Sequence, residues 1–252
     1  MLLKFSYVPD AFGEGIIVPV IKNRHGDLSS LENYRPITLS PVISKVFENF
    51  LLEVYSKFLC TDDLQFGFKK NLGCSHAIFL LKQTVGFFNN NDSNVYLESL
   101  DASKAFDRLN HFKLYTTLVK MHVPMTCINL IINWYGKLNS RVKWFDHLSD
   151  SLIINSGVRQ GGILSPILFN CYVNILIVSL RKHDFCCKLF NKFLGCIMYA
   201  DDLILLSSSI IDLQRMLDIC NNVGLSLGLT FNHKNLTVCL LVHCIILPYL
   251  KC

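Results

Sequence analysis

Hydrophobic positions divide the chain into segments whose spacing indicates their secondary structure. Over residues 44–59, Phe47, Phe50, Leu51, Val54 and Phe58 recur at helical spacing, with Glu48, Glu53 and Lys57 elsewhere. This predicts an amphipathic helix packed through its aromatic side. A polar island at residues 89–94 is the best internal boundary, and no repeat or Gly/Ser-rich linker is present. Residues 95–101 then read as a short, mostly buried strand ending near Asp101, followed by a helix-opening segment from Ala102. Ser165 and Pro166 open a helix that reaches Leu180, because proline lacks only a donor that the first turn leaves unpaired anyway. The Gly161-Gly162 pair before it lets the backbone approach a ligand closely. Two apolar runs, 196–199 and 203–206, flank Ala200, Asp201 and Asp202 and predict a hairpin with acids at its tip. A helix follows with Leu213, Met216, Leu217 and Cys220 on one face, expected to stop at Gly224. Strands interleaved with helices, without strict alternation, predict an α+β fold.

Composition narrows the class without deciding the chemistry. A chain of 252 residues that is 51% hydrophobic can fill one large domain or two lobes, which excludes a disordered protein. The net charge of +5 suits a polyanionic partner but does not demand one. Eleven cysteines at irregular spacing, with no leader pattern at the N-terminus, read as reduced thiols in an intracellular protein. Cys239, His243, Cys244 and Cys252 lack the paired spacing of a zinc site. The apolar stretch 236–250 is too short to span a bilayer and contains His243 and Pro248, so no membrane partner is expected.

The acids carry the candidate chemistry. Asp201 and Asp202 adjoin apolar strands on both sides, where an unpaired carboxylate suffers heavy desolvation unless it meets a cation. Magnesium-like ions prefer oxygen ligands and are held by one or two carboxylates together with substrate phosphates, and Asp101 at another strand end could complete such a site. An ordinary acidic turn is the commoner explanation of an Asp-Asp pair at this point.

Tyr199-Ala-Asp-Asp202 resembles the F/Y-x-D-D box of reverse transcriptases. Leu100-Asp-Ala-Ser-Lys-Ala-Phe-Asp107 resembles the first catalytic aspartate segment of LINE-type (non-LTR retrotransposon) enzymes, and Ser156-Gly-Val-Arg-Gln-Gly-Gly-Ile-Leu-Ser-Pro166 their Gln-Gly segment. Upstream, residues 13–22 and 33–39 look like the fingers motifs, and Gln65-Phe-Gly-Phe68 resembles the Q-x-G-F element. Ordered elements at family-like intervals over residues 13–235 make the combined resemblance specific.

The resemblance implies a right-hand polymerase with fingers at about 13–92, a palm at about 93–235 whose antiparallel sheet is backed by helices, and no thumb before the divergent tail 236–252. It implies RNA-directed DNA polymerase activity with two Mg2+ or Mn2+ ions, held by Asp101, Asp201 and Asp202 as catalytic residues. Lys22, Arg35, Phe106, Gln160 and Gly161 would bind the nucleotide, with Phe106 as an aromatic gate against a ribose 2′-hydroxyl. Tyr199, Lys104 and Asp107 are left outside the catalytic set. The implied partners are an RNA template, a DNA primer, dNTPs and further segments of a retrotransposon polyprotein, with nuclear action expected although no basic import signal is visible. One departure is Phe231-Asn-His-Lys-Asn-Leu236, which puts Lys234 a position early for the family's Asn-x-x-Lys element. That departure and the tail leave open a catalytically silent nucleic-acid-binding remnant. An unrelated metal-dependent phosphotransferase would leave the fingers motifs unexplained.

Overall fold

The structure is a computed structural model that describes residues 2–231 and 239–240. Its helices are α1 (Leu2–Phe5), α2 (Val42–Tyr55), α3 (Cys74–Asn90), α4 (Ala105–Arg108), α5 (His111–Lys120), α6 (Met125–Tyr135), α7 (Ser165–Leu180) and α8 (Ile210–Leu227). The strands are β1 (Ile16–Ile21), β2 (Tyr34–Leu39), β3 (Tyr96–Asp101), β4 (Asn139–Trp144), β5 (His147–Leu148), β6 (Leu152–Ile153), β7 (Lys188–Leu189), β8 (Lys192–Phe193), β9 (Cys196–Tyr199), β10 (Asp202–Ser207) and β11 (Cys239–Leu240). The α+β expectation holds. Two compact units are interleaved along the chain, Met1–Cys60 with Phe106–Tyr172, and Thr61–Ala105 with Val173–Cys252.

The first unit is built on a mixed sheet in the order β2-β1-β4-β5, with β6 also paired to β4. β1 and β2 form an antiparallel hairpin, whereas β1 meets β4 in parallel at Ile16 and Arg141. The same unit holds an aromatic cluster in which Phe12 and Trp134 each approach Phe47, at 5.7 and 5.6 Å between ring centroids. The Trp134 ring N–H donates to the Phe12 carbonyl at 3.0 Å, so the polar end of the indole is satisfied inside the core.

α2 corrects the expected packing face. Ser44, Phe47, Glu48, Leu51 and Tyr55 are its buried residues, while Phe50 and Val54 face solvent along with Val42, Ile43 and Val46. The physical reason is Glu48, 4% exposed, whose carboxylate accepts from the backbone amides of Ile163 and Leu164. A charge that caps buried amides belongs on the inner face, and it turns part of the apolar stripe outward.

The second unit carries an antiparallel sheet in the order β11-β3-β10-β9. α3 covers one face through a cluster of Phe66, Ala77, Val95, Cys187, Ile197 and Leu206, joined by Leu97 and Ile204. Side chains alternate across a strand, so Glu98, Leu100, Leu203 and Leu205 point to the other face. α8 packs against β3 and β10. Ser209 caps its start by accepting from the Asp212 amide, and its end lies at Gly228, φ +81°, one turn beyond the expected stop. Gly224 stays helical and buried because the Phe231 ring packs onto it, 2.7 Å from where a Cβ would stand. α7 occupies the predicted span and is apolar nearly all round, which suits a helix buried on most sides.

Glu98 is fully buried, and neither carboxylate oxygen has a hydrogen-bond partner among the described residues. Burial raises its pKa. A raised acid pKa means that the folded state holds the proton more tightly than the unfolded chain, so this group costs stability as pH rises past the unfolded value. Glu98→Met is therefore expected to stabilise the protein by about 1–3 kcal/mol at neutral pH, with the gain shrinking toward pH 4. Urea denaturation at the two pH values checks this, and equal gains at both would refute it.

The cysteines at 60, 127, 171, 186, 187, 196 and 220 are free thiols. Burial pushes Cys127, Cys171, Cys187 and Cys220 up to about 12, which keeps them protonated and unreactive. Among the described residues no helix is long and apolar enough to cross a membrane. The expectations for Lys234, for the tail at 236–252 and for its Cys/His group lie outside the described residues, apart from the two-residue strand β11.

Candidate active site

β3 ends on Asp101 and β10 begins on Asp202, and the antiparallel register pairs these two residues directly. Asp202 also stands opposite Tyr199, the last residue of β9, so that Ala200 and Asp201 alone connect the two strands. Sequence reading expects both acids at the hairpin tip. The structure keeps Asp201 in the turn and takes Asp202 into the strand, across from Asp101.

Asp202 lines a shallow recess with Ala77, Ile197, Tyr199 and Ile204. Its carboxyl is pushed up to about 6, first by desolvation and then by the charges of Asp201 and Asp101. The residue as a whole keeps solvent contact, so an apolar wall rather than depth desolvates it. Both neighbouring acids oppose its ionisation, a conflict that a cation would reverse. Among the described residues no three His, Cys, Asp or Glu side chains form a ready metal cage. The carboxylate oxygens of Asp101 and Asp202, paired across the strands, with Asp201 in the adjoining turn, are the donor type that a hard divalent ion shared with water and phosphate oxygens takes.

The other five candidates belong to the first unit. Arg35 lies on β2 opposite Val20, and Lys22 follows β1 with its ammonium donating to the Glu32 carbonyl at 2.8 Å. Both are exposed. The Gln160 carbonyl accepts from the Thr38 amide at 2.6 Å, which lays the Gln-Gly loop against the strand that carries Arg35. Gly161 has φ +112°, and a Cβ there would stand 2.8 Å from the Thr38 carbonyl oxygen, so a larger residue would be strained and pressed into β2. Phe106, in α4, stacks on Phe169 of α7 with centroids 4.3 Å apart. Gln160 donates to the Asp107 carboxylate at 2.9 Å, and the Val158 amide donates to the Phe106 carbonyl. Phe106, Gln160 and Gly161 are therefore brought together. Lys22 is not: Thr38 pairs with Ile17, five residues back along β1, on the order of 16 Å away.

The sequence alone does not reveal the partners of three further contributors. Asp107 tethers Gln160. Glu48 holds the amides that follow Gly162, and Arg159, 8% exposed, donates to the carbonyls of Phe12 and Gly13. No periodicity signals these, because a charged residue on an amphipathic helix or in a loop ordinarily reads as solvated.

A family model described as reverse transcriptase (RNA-dependent DNA polymerase) matches residues 21–245, which include every candidate site residue from Lys22 to Asp202. The chain belongs to the reverse transcriptase family. It is 28% identical over 201 residues to the Pol polyprotein of the Drosophila melanogaster type-2 retrotransposable element R2DM, covering 78% of this chain and 19% of that protein. It is 27% identical over 177 residues to a probable RNA-directed DNA polymerase from the Drosophila melanogaster transposon X-element, covering 68% of this chain and 19% of that one. The chain thus spans about a fifth of the length of these relatives, and its matches are those of a LINE-type reverse transcriptase domain. Its fold is also similar to that of apo telomerase from Candida tropicalis truncated from its C-terminal domain, with a TM-score of 0.69 at 15% identity over 95% of this chain and 53% of that one. The fingers-and-palm architecture expected from the motifs is the fold observed, and membership of this family implies divalent metal use in general terms.

Proposed function

We propose that this chain performs RNA-directed DNA synthesis, adding deoxynucleotides to a primer 3′-hydroxyl with release of pyrophosphate, in the copying of a retrotransposon. The observation that carries this reading is the direct pairing of Asp101 with Asp202, beside Asp201, inside a reverse transcriptase match. Asp101, Asp201 and Asp202 would hold two Mg2+ or Mn2+ ions, which when bound supply Lewis-acid activation and neutralise charge developing at phosphorus. Arg35 offers a guanidinium fork to triphosphate oxygens. Lys22 can add an ammonium once it leaves the Glu32 carbonyl. Gln160 and Gly161 line the nucleotide pocket, where the glycine lets the loop lie close against β2. RNA template, DNA primer and the remaining segments of a longer polyprotein are the partners this reading calls for, and its place of action is the nucleus.

Phe106 would exclude ribonucleotides by crowding the 2′-hydroxyl. Its ring is fixed by stacking on Phe169, so its edge is a preset boundary. Phe106→Ala is expected to raise incorporation of ribonucleotides relative to deoxynucleotides by about 10-fold or more. Competition between labelled rNTP and dNTP measures the ratio, and an unchanged ratio in a folded variant removes the gate.

The reading is tested by primer extension on poly(rA)–oligo(dT) with Mg2+ and then Mn2+. Extension by the folded wild type supports it. Salt-sensitive binding to an RNA–DNA hybrid without extension in either metal would replace it with a silent binding remnant.

A further inference from the structure

Gln65 is 1% exposed, and its side chain is spent on the turn that presents the acids. Its carboxamide oxygen accepts from the Ala200 amide at 3.0 Å and from the Gly67 amide at 2.9 Å. Its carboxamide nitrogen donates to the Ala200 carbonyl at 3.2 Å. Only one orientation of the amide satisfies this set, since a flip would set NH2 against two N–H donors. The segment around it is stitched alongside β9: the Phe66 amide donates to the Met198 carbonyl, and the Met198 amide to the Leu64 carbonyl, each at 2.8 Å. Gly67 closes the approach, because a Cβ there would stand 2.3 Å from the Ala200 nitrogen.

Ala200 is the residue that needs such holding. It has φ +58°, while Asp201 does not share a positive φ, the sign pattern of a II′ hairpin turn. Glycine normally fills that first central position because an L side chain there is strained. Strained turn residues persist when surrounding structure over-determines them. Here both backbone polar groups of Ala200 are bound by one buried side chain, and Asp201 is the next residue.

We propose that Gln65 is a positioning residue of the acidic centre: by binding both backbone polar groups of Ala200, with Gly67 permitting the approach, it holds the Tyr199–Asp202 turn in the strained conformation that sets Asp201 and Asp202 beside Asp101. The catalytic part of this inference rests on the polymerase reading above. The structural part does not.

Gln65→Leu removes all three hydrogen bonds and leaves both Ala200 groups buried without partners. Amide hydrogen exchange at Ala200 is expected to accelerate by about 10-fold or more, while the β10 strand amides hold their rates. In extension assays kcat is expected to fall by about 10- to 100-fold with the KM for dNTP within about 2-fold, because the turn presents acids and not the nucleotide grip. The loss should be deeper in Mg2+, which demands near-ideal octahedral ligands. Gln65→Glu keeps the oxygen that accepts from Ala200 and Gly67, and should retain much of the Ala200 protection.

The decisive comparison places Gln65→Leu in an Ala200→Gly background. Glycine reaches the turn conformation without strain, so loss of Gln65 should accelerate exchange around the turn and lower kcat by a smaller factor there than in the parent. Equal factors in both backgrounds, or unaltered Ala200 exchange in Gln65→Leu, overturn the proposal. If the wild type extends no primer, the polymerase reading fails, and hydrogen exchange in the two backgrounds still decides whether Gln65 holds the turn.

Discussion

Asp201→Asn is expected to lower primer extension by about 10³-fold or more, the scale set by losing several kcal/mol of transition-state stabilisation at about 1.4 kcal/mol per factor of ten. The same change should leave the metal-free fold more stable than wild type. Asp202 is held up to about 6 partly by the charge of Asp201 beside it. Its raised pKa means that stability falls as pH rises from the unfolded carboxylate range to about 6, and is lower by a constant amount above that. Removing Asp201's charge relieves part of that loss. Denaturation at pH 8 should therefore show a gain in the variant that shrinks toward pH 4, alongside absent extension. A variant that lost activity together with stability would point to misfolding rather than to a removed ligand.

Glu48→Ala should be the most damaging change in the first unit, at about 3–5 kcal/mol. It strips the acceptor from the buried amides of Ile163 and Leu164 and removes the negative charge that counters Arg159. Burial nevertheless raises the Glu48 pKa and lowers that of Arg159, so desolvation outweighs their mutual attraction. The pair thus contributes through the groups it satisfies more than through its charges. Glu48→Gln keeps one acceptor oxygen and should cost roughly half as much. Urea midpoints at unchanged slope measure both, and a neutral Glu48→Ala would refute the assignment.

The second unit was the more legible in sequence. Residues 95–101, 196–199 and 203–206 are dense apolar runs bounded by acids and turn formers, so strand character, burial and the exposed ends coincide in a few residues. The span of α7 was legible for the same reason. What stayed hidden depends on distant partners. The parallel pairing of β1 with β4 joins residues more than a hundred positions apart. Gly224 carries the mark of a helix end, yet Phe231 packs onto it and the helix continues. Glu48 looks solvated until the amides of Ile163 and Leu164 are seen beside it. In the candidate site, the acids announce themselves by their apolar flanks. The roles of the residues that hold the loops do not: Asp107 and Gln65 fall inside recognisable motifs and Glu48 on an amphipathic helix, but Asp107 acts through the Gln160 side chain and Glu48 and Gln65 through backbone atoms elsewhere in the chain.

The inward turn of α2 toward Glu48 leaves Val42 78% exposed and Val46 57% exposed, one helical turn apart, with Phe50 and Val54 continuing the row. This greasy seam will govern how the protein behaves in a concentrated tube. Sulfate and other excluded salts strengthen apolar association, so they should bring molecules together along it and cloud the solution early. Lysine at 42 and 46 would keep the protein dispersed, and because both positions lie off the Phe47 and Leu51 face, it would do so without disturbing the core.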